Sequence, residues 1–240
     1  MDESRAKYIL VENYVKDLIN TGQKKIGDQL ETEQQIAKKF NISRLTVNKA
    51  LSRLAFDGLV EQIPGKGTFI KSIALTSDYT TVGSFTKYLA SQRIESGSIL
   101  IEYKIVNGSE YPDIANQLKI SMDDNMYYFV RVRTANKEPI AMMASFIPYK
   151  VCPNFDITVL QGSLYDYFDK LDLPRVAIKS RLTAVSADTY YSKHLRVPLN
   201  TALLKHYHVT ISRDELPIEY CDATYIGEKY SYDIEQNFII

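Results

Sequence analysis

The chain contains no tryptophan, only two cysteines, and no net charge across its 240 residues. Cys152 and Cys221 are too few for a disulfide framework and lack CxxC spacing, so they read as two reduced thiols rather than a metal or redox site. No apolar run approaches the roughly 18 residues that a membrane span requires. The first residues mix Asp2, Glu3, Arg5 and Lys7, which is not the pattern of a signal peptide. The expectation is a cytoplasmic protein without membrane contact. There is no internal repeat and no low-complexity tract. The composition, 45% hydrophobic and 24% charged, excludes disorder and collagen-like structure, and the length suits two domains of unequal size.

The zero net charge hides an asymmetry. Residues 1–72 carry 12 Lys+Arg against 9 Asp+Glu, and residues 73–240 carry 17 against 20. An excess of three is compatible with nucleic-acid binding without establishing it, because counterion release depends on cations gathered on one surface.

Within residues 5–20, Ile9, Val11, Tyr14, Val15, Leu18 and Ile19 recur at helical spacing, and Thr21-Gly22 supplies a stop. Thr32 followed by Gln35 predicts a capping box opening a short helix with Ile36, Ala37 and Phe40 on its apolar face, closed by Asn41. Ser43 caps a third helix lined by Val47, Ala50, Leu51, Leu54 and Ala55 and ended by Asp57-Gly58. Two short helices joined by a tight turn, with polar and cationic side chains at the start of the second, are what major-groove reading requires. Leu59–Ile63, the turn Pro64-Gly65-Lys66-Gly67 and Thr68–Ile70 then predict a β-hairpin wing.

These blocks resemble the winged helix-turn-helix domain of the GntR family: Ile36–Phe40, Ser43–Val47, Ala50–Leu54, Asp57-Gly58-Leu59 and Gly65–Phe69 occur in the family's order and spacing. The resemblance implies double-stranded operator DNA as partner, contacted by Thr32, Gln34, Ser43, Arg44, Thr46, Asn48, Lys49, Gly65, Lys66, Gly67 and Thr68. Where the family usually carries Pro and Arg at the second helix and a further Arg in the third, this chain has Glu31, Gln34 and Asn48, so phosphate gripping is expected to be weaker. Asn48 is open to two readings, adenine recognition through its amide and a phosphate or solvent position.

Residues 73–83 are expected to be a linker between a DNA-binding domain at 1–72 and a second domain at 84–240. The second domain reads as α+β. Strands are expected near 99–107, 126–136, 139–147, 176–187, 201–213 and 217–226, with helices near 85–93, 111–118, 163–171 and 188–195. Close spacing of strand pairs favours an antiparallel sheet with helices on one side.

Three features of this domain suit a ligand. Ser84-Phe85-Thr86 opens a helix, either as an anion site, which free N–H groups favour, or as an ordinary N-cap. Arg131 and Arg133 stand at i, i+2 on a strand and so share a face, either as an anion fork or as a solvated surface. Glu219 is a carboxylate in an apolar strand, suited to ligand hydroxyls or to a structural Arg.

With Glu138–Ala141, Gly162–Tyr165, Pro217–Tyr220 and Tyr225–Gly227, these segments resemble the UTRA effector domain of HutC-type GntR regulators, related in fold to chorismate lyase. The resemblance implies a homodimeric bacterial repressor with an effector such as a sugar phosphate, held by Ser84, Phe85, Thr86, Arg131, Arg133, Ser163, Tyr165, Glu219 and Tyr225. An activator or a sensor of a non-phosphorylated metabolite is the alternative. Met143-Ala144 stands where many members have Glu-Arg, which implies a lost polar contact. Catalysis is not expected: His206 and His208, Asp123 and Asp124, and Tyr190 and Tyr191 form neither a nucleophile–base set nor a metal set, and the histidines read as a sheet pair packed against tyrosines. No cofactor is expected.

Overall fold

In the computed structural model, residues 3–56, 58–71, 75–78, 84–91 and 94–233 are described. They divide into two compact units, one up to Leu75 together with Ile94, the other comprising Thr76–Ser91 and the residues from Glu95 onward.

The first unit contains three helices, α1 (Glu3–Asn20), α2 (Glu33–Phe40) and α3 (Arg44–Phe56), and a hairpin of β1 (Val60–Ile63) and β2 (Gly67–Ile70). The predicted capping box is present: Gln35 N donates to Thr32 Oγ1 and Thr32 N donates to Gln35 Oε1 at 2.8 Å. Asn41 closes α2 in the left-handed region at φ 51°, and Thr46 N donates to Ser43 Oγ at 3.1 Å to start α3. Helix α3 packs on α1, α2 and β1. Val11, Val15, Ile36, Val47, Ala50, Leu51, Leu54, Val60 and Ile70 are buried. Ile9, counted with the apolar face of α1, is instead exposed. Asp57, expected to help end α3, lies outside the described residues, while Gly58 takes φ 73° as a helix-ending glycine does.

The second unit is built on a six-stranded antiparallel sheet ordered β4-β5-β6-β9-β8-β7. Its strands are β4 (Ser96–Asn107), β5 (Asn125–Ala135), β6 (Glu138–Pro148), β7 (Ala177–Ser186), β8 (Ala202–Ile211) and β9 (Pro217–Ile226). The helices α4 (Phe85–Ser91), α5 (Pro112–Gln117), α6 (Leu164–Lys170) and α7 (Thr189–Leu195) fall close to the predicted ranges, and residues 92–93 of the predicted 85–93 helix lie outside the described residues.

Two expectations are corrected. Helices cover both faces of the sheet, because β5 buries both of its alternating sets. Tyr127 and Phe129 pack with Leu164 and Phe168 of α6, whereas Met126 packs with Leu118 beside α5, and Val130 and Val132 with Leu195 of α7. The segment expected to be linker also contains a strand, β3 (Leu75–Asp78), which forms a separate two-stranded sheet with β10 (Tyr230–Asp233). Residues 73–74 and 79–83 of that segment lie outside the described residues. Both strands have four residues, too few for periodicity to announce.

The rings of His206 and His208 lie against each other, tilted, with centroids 4.7 Å apart. His206 Nδ1 lies 2.8 Å from the Tyr232 hydroxyl and Nε2 lies 2.9 Å from Ser180 Oγ. Burial pushes His206 down to about 3 and His208 to about 4, from an ordinary value of 6.5. Below pH 6.5 the unfolded chain therefore takes up protons that the folded chain refuses. Stability should fall on acidification from about pH 6.5 towards 4, by up to about 1.4 kcal/mol per pH unit for each histidine. Urea unfolding of wild type and of a His206→Gln/His208→Gln variant at several pH values checks this; an equal acid slope in both counts against it.

In the first unit, Leu51→Ala should cost about 2–5 kcal/mol through cavity formation. Phe56→Ala, at a side chain 85% exposed, should stay within about 0.5 kcal/mol. Denaturant midpoints of the two variants measure the contrast.

Candidate functional site

The first candidate surface lies at the junction of α2 and α3 and at the hairpin tip. Thr32, Gln34, Ser43, Arg44 and Lys49 are exposed, and Thr46 and Asn48 are half-buried. Arg44 and Asn48 are not independent. Arg44 Nε donates to Glu33 Oε2 and Asn48 Nδ2 donates to Glu33 Oε1, both at 2.8 Å. Those two hydrogen bonds, that of Asn48 first, hold the Glu33 carboxyl below its usual range. Glu33 was absent from the sequence-derived contacts, since nothing in its spacing announces that two side chains of the next helix converge on it.

At the wing, Gly65 takes φ 75° and Gly67 φ 118°, conformations that L side chains rarely adopt. Gln29 Nε2 donates to the Lys66 carbonyl at 2.7 Å, and a Cβ added at Gly67 would come within 2.5 Å of that nitrogen. The turn favours glycine through its φ, and a side chain at Gly67 would also displace the Gln29 amide that braces the tip. Gly65, Lys66 and Gly67 are exposed, but Thr68 is buried at 8% exposure, so its side chain supports the hairpin instead of lining its outer surface.

The second candidate site is formed by the sheet face carrying Arg131 and Arg133. Alternation along β5 puts both guanidinium groups on one side, and each residue is only 3% exposed, which removes the solvated-surface reading. Arg131 Nη1 donates to the carbonyls of Leu160 at 3.3 Å and Gly162 at 3.4 Å. Arg133 donates through Nη2 to Thr86 Oγ1 at 2.9 Å, through Nε to the Gly97 carbonyl at 3.2 Å, and through Nη1 to the Gly162 carbonyl. Ser84 Oγ and Ser163 Oγ are 3.0 Å apart, and the Phe85 ring lies 5.2 Å from the Arg133 guanidinium carbon. The opening turn of α4, the paired arginines and the turn before α6 thus meet around two buried cations. Burial pulls both guanidinium groups below their ordinary value, Arg133 to about 9 with the like charge of Arg131 adding to the effect.

Glu219 lies on the same sheet, 2% exposed. Ser145 Oγ donates to its Oε1 at 2.9 Å and Thr210 Oγ1 to its Oε2 at 3.2 Å, and the Tyr165 hydroxyl lies 3.3 Å from Thr210 Oγ1. Burial raises the Glu219 carboxyl, opposed first by Ser145 and then by the Arg131 charge. Ser145 and Thr210 were missed. Thr210 was legible as the continuation of the His206, His208 alternation, but Ser145 acquires a role only through strand pairing. Tyr225 joins the site by stacking on Tyr230 at 3.9 Å, and Tyr230 lies 6.3 Å from Phe85.

The chemistry of this face is cations, hydroxyls and a carboxylate around a partly apolar floor, suited to holding a polar anion. Among the described residues no helix is long and apolar enough to cross a membrane, and no group of three His, Cys, Asp or Glu side chains could hold a metal ion.

Two family descriptions match the chain: "Bacterial regulatory proteins, gntR family" over residues 7–70 and "UTRA domain" over residues 91–231. The chain is 27% identical over 226 residues to the HTH-type transcriptional repressor NagR of Bacillus subtilis (strain 168), covering 94% of this chain and 92% of that protein. It is 26% identical over 164 residues, 68% of each chain, to the mannosyl-D-glycerate transport/metabolism system repressor MngR of Escherichia coli (strain K12). The crystal structure of PhnF from Mycobacterium smegmatis superposes with a TM-score of 0.79 at 20% identity, covering 96% of this chain and 99% of that one. With the UTRA match alone spanning more than half its length, the chain belongs to the GntR family of bacterial transcription regulators, in the HutC-type branch that joins a winged helix-turn-helix to a UTRA domain.

Proposed function

We propose that this regulator is a cytoplasmic homodimeric repressor whose grip on operator DNA is modulated by a small anionic effector of the sugar-phosphate class, and that it is not an enzyme. In this reading residues 1–72 bind DNA, 73–83 link, and 84–240 bind effector and dimerise. The observation that carries the effector half is the pair of buried cations Arg131 and Arg133, whose hydrogen bonds among the described residues go to neutral oxygens. A phosphate entering between Ser84, Thr86 and Ser163 would supply the missing negative charge. Glu219 and Tyr165, with Ser145 and Thr210, are suited to the hydroxyls of the attached sugar. The names of NagR and MngR as repressors support the sign of regulation.

For DNA, the exposed wing tip with Lys66 serves as a phosphate contact, and the polar start of α3 enters the major groove. Two-fold operator geometry calls for two copies. The effector acts by preferring the conformation that fits the operator less well, so ligand and DNA weaken each other reciprocally.

Thermal unfolding of the purified protein with a panel of sugar phosphates and the matching free sugars tests the effector reading. A cognate sugar phosphate should raise the melting temperature by a few degrees, about 2–4 °C per kcal/mol of binding. The shift should vanish in a folded Arg133→Ala variant. Free sugars stabilising wild type as well as their phosphates would sink the phosphate assignment. For the wing, Lys66→Ala should weaken binding evenly across DNA sequences and lower the salt slope by about 1, as read by fluorescence anisotropy at several salt concentrations; an unchanged slope removes Lys66 from the contacts.

A further inference from the structure

Glu33 holds two of the α3 side chains that could read bases, Arg44 and Asn48, one on each carboxylate oxygen. It stands in the first turn of α2, and its partners stand at the first and fifth positions of α3, so the cluster ties together the two helices of the DNA-reading motif. We infer that Glu33 is a positioning residue for sequence reading: it aims Arg44 as a two-pronged reader of guanine and orients Asn48 beside it. This rests on the DNA-binding reading above.

The argument is geometric. A carboxylate engaged at Nε fixes the guanidinium plane and leaves the Nη1 and Nη2 edge. Glu33 engages Nε and not that edge, on a side chain 74% exposed. A presented fork of two N–H donors matches guanine O6 and N7, whereas a phosphate contact needs no fixed plane. Asn48 gives one amide hydrogen to Glu33, which fixes the side of the amide that carries its carbonyl oxygen. The charge makes the same point from the opposite direction. A carboxylate at a DNA-facing helix start repels phosphates and so lowers affinity for DNA of any sequence. For DNA binding, its presence is favourable there through the groups that it orients.

Opposite movements of specific and non-specific binding are therefore the signature, and a purely structural role would not produce them. A binding site is first selected from a random duplex pool with the full-length wild-type protein. E33Q, checked for folding by circular dichroism and melting, is then titrated with that site, with the site carrying 7-deazaguanine at each half-site guanine in turn, and with random-sequence duplex. Wild type should lose roughly tenfold at one such guanine. E33Q should lose most of that discrimination while binding random duplex more tightly, and in an R44A background E33Q should leave guanine discrimination unchanged. Retained discrimination in E33Q, or an equal loss on selected and random DNA, overturns the inference. If E33Q does not fold, R44K serves: its charge is kept but its fork is gone, so random-duplex affinity should persist while guanine discrimination falls, and an undiminished guanine preference overturns the proposal. A wild type that selects a motif lacking any guanine contact overturns the role of Glu33 alone. A wild type that selects no sequence overturns the DNA-binding reading itself.

Discussion

Two guanidinium groups withdrawn from water at alternate positions of one strand impose the arrangement around them. Arg131 and Arg133 are cations at 3% exposure, and a buried charge is costly unless its hydrogens are met and its field is balanced. The turn before α6 turns its carbonyls of Leu160 and Gly162 inward, β4 contributes the Gly97 carbonyl, and α4 brings the Thr86 hydroxyl. Among the described residues, Glu219, from a strand two places away in the sheet, sets an opposite charge against Arg131, and its oxygens are already met by Ser145 and Thr210. The result is a folded site in which hydrogen bonding is largely satisfied and charge is not.

That imbalance connects structure to regulation. A site with complete internal pairing would have no affinity left for a ligand, and one with none would cost too much to fold. The same alternation that places the arginines on one face of β5 sends Val130 and Val132 to the other, where α7 covers them. The strand thereby carries a face of buried cations and a core face at once, and helices on both sides of the sheet follow from it. In the smaller unit a comparable economy operates: the turn that caps α2 through Thr32 also places Glu33 where it grips Arg44 and Asn48.

Legibility followed the range of the signal. The six sheet strands lay close to the ranges suggested by alternation, and the α2 and α3 starts were read from Thr32, Gln35 and Ser43, because capping is a contact across three residues. The hairpin was equally clear from Gly65 and Gly67. Ile9 fitted the helical period yet is exposed, since period identifies a face and not how far the core extends along it. Strands β3 and β10 escaped notice because each is four residues long and they pair with each other across most of the chain.

By itself, the sequence determined the local elements, their order, the two-part organisation and the family, all of which depend on residues near one another or on ordered blocks of motif. It also proposed most members of the effector face, through spacing and resemblance. What only the tertiary structure decided is which groups share a charge or a proton: the burial of the arginines, the hydroxyls on Glu219 from β6 and β8, and the bridging role of Glu33. These partners are separated by 9 to 74 residues in the chain. The electrostatics of a site depends on distance in space and on exclusion of water, and neither is encoded in the separation of residues along the chain.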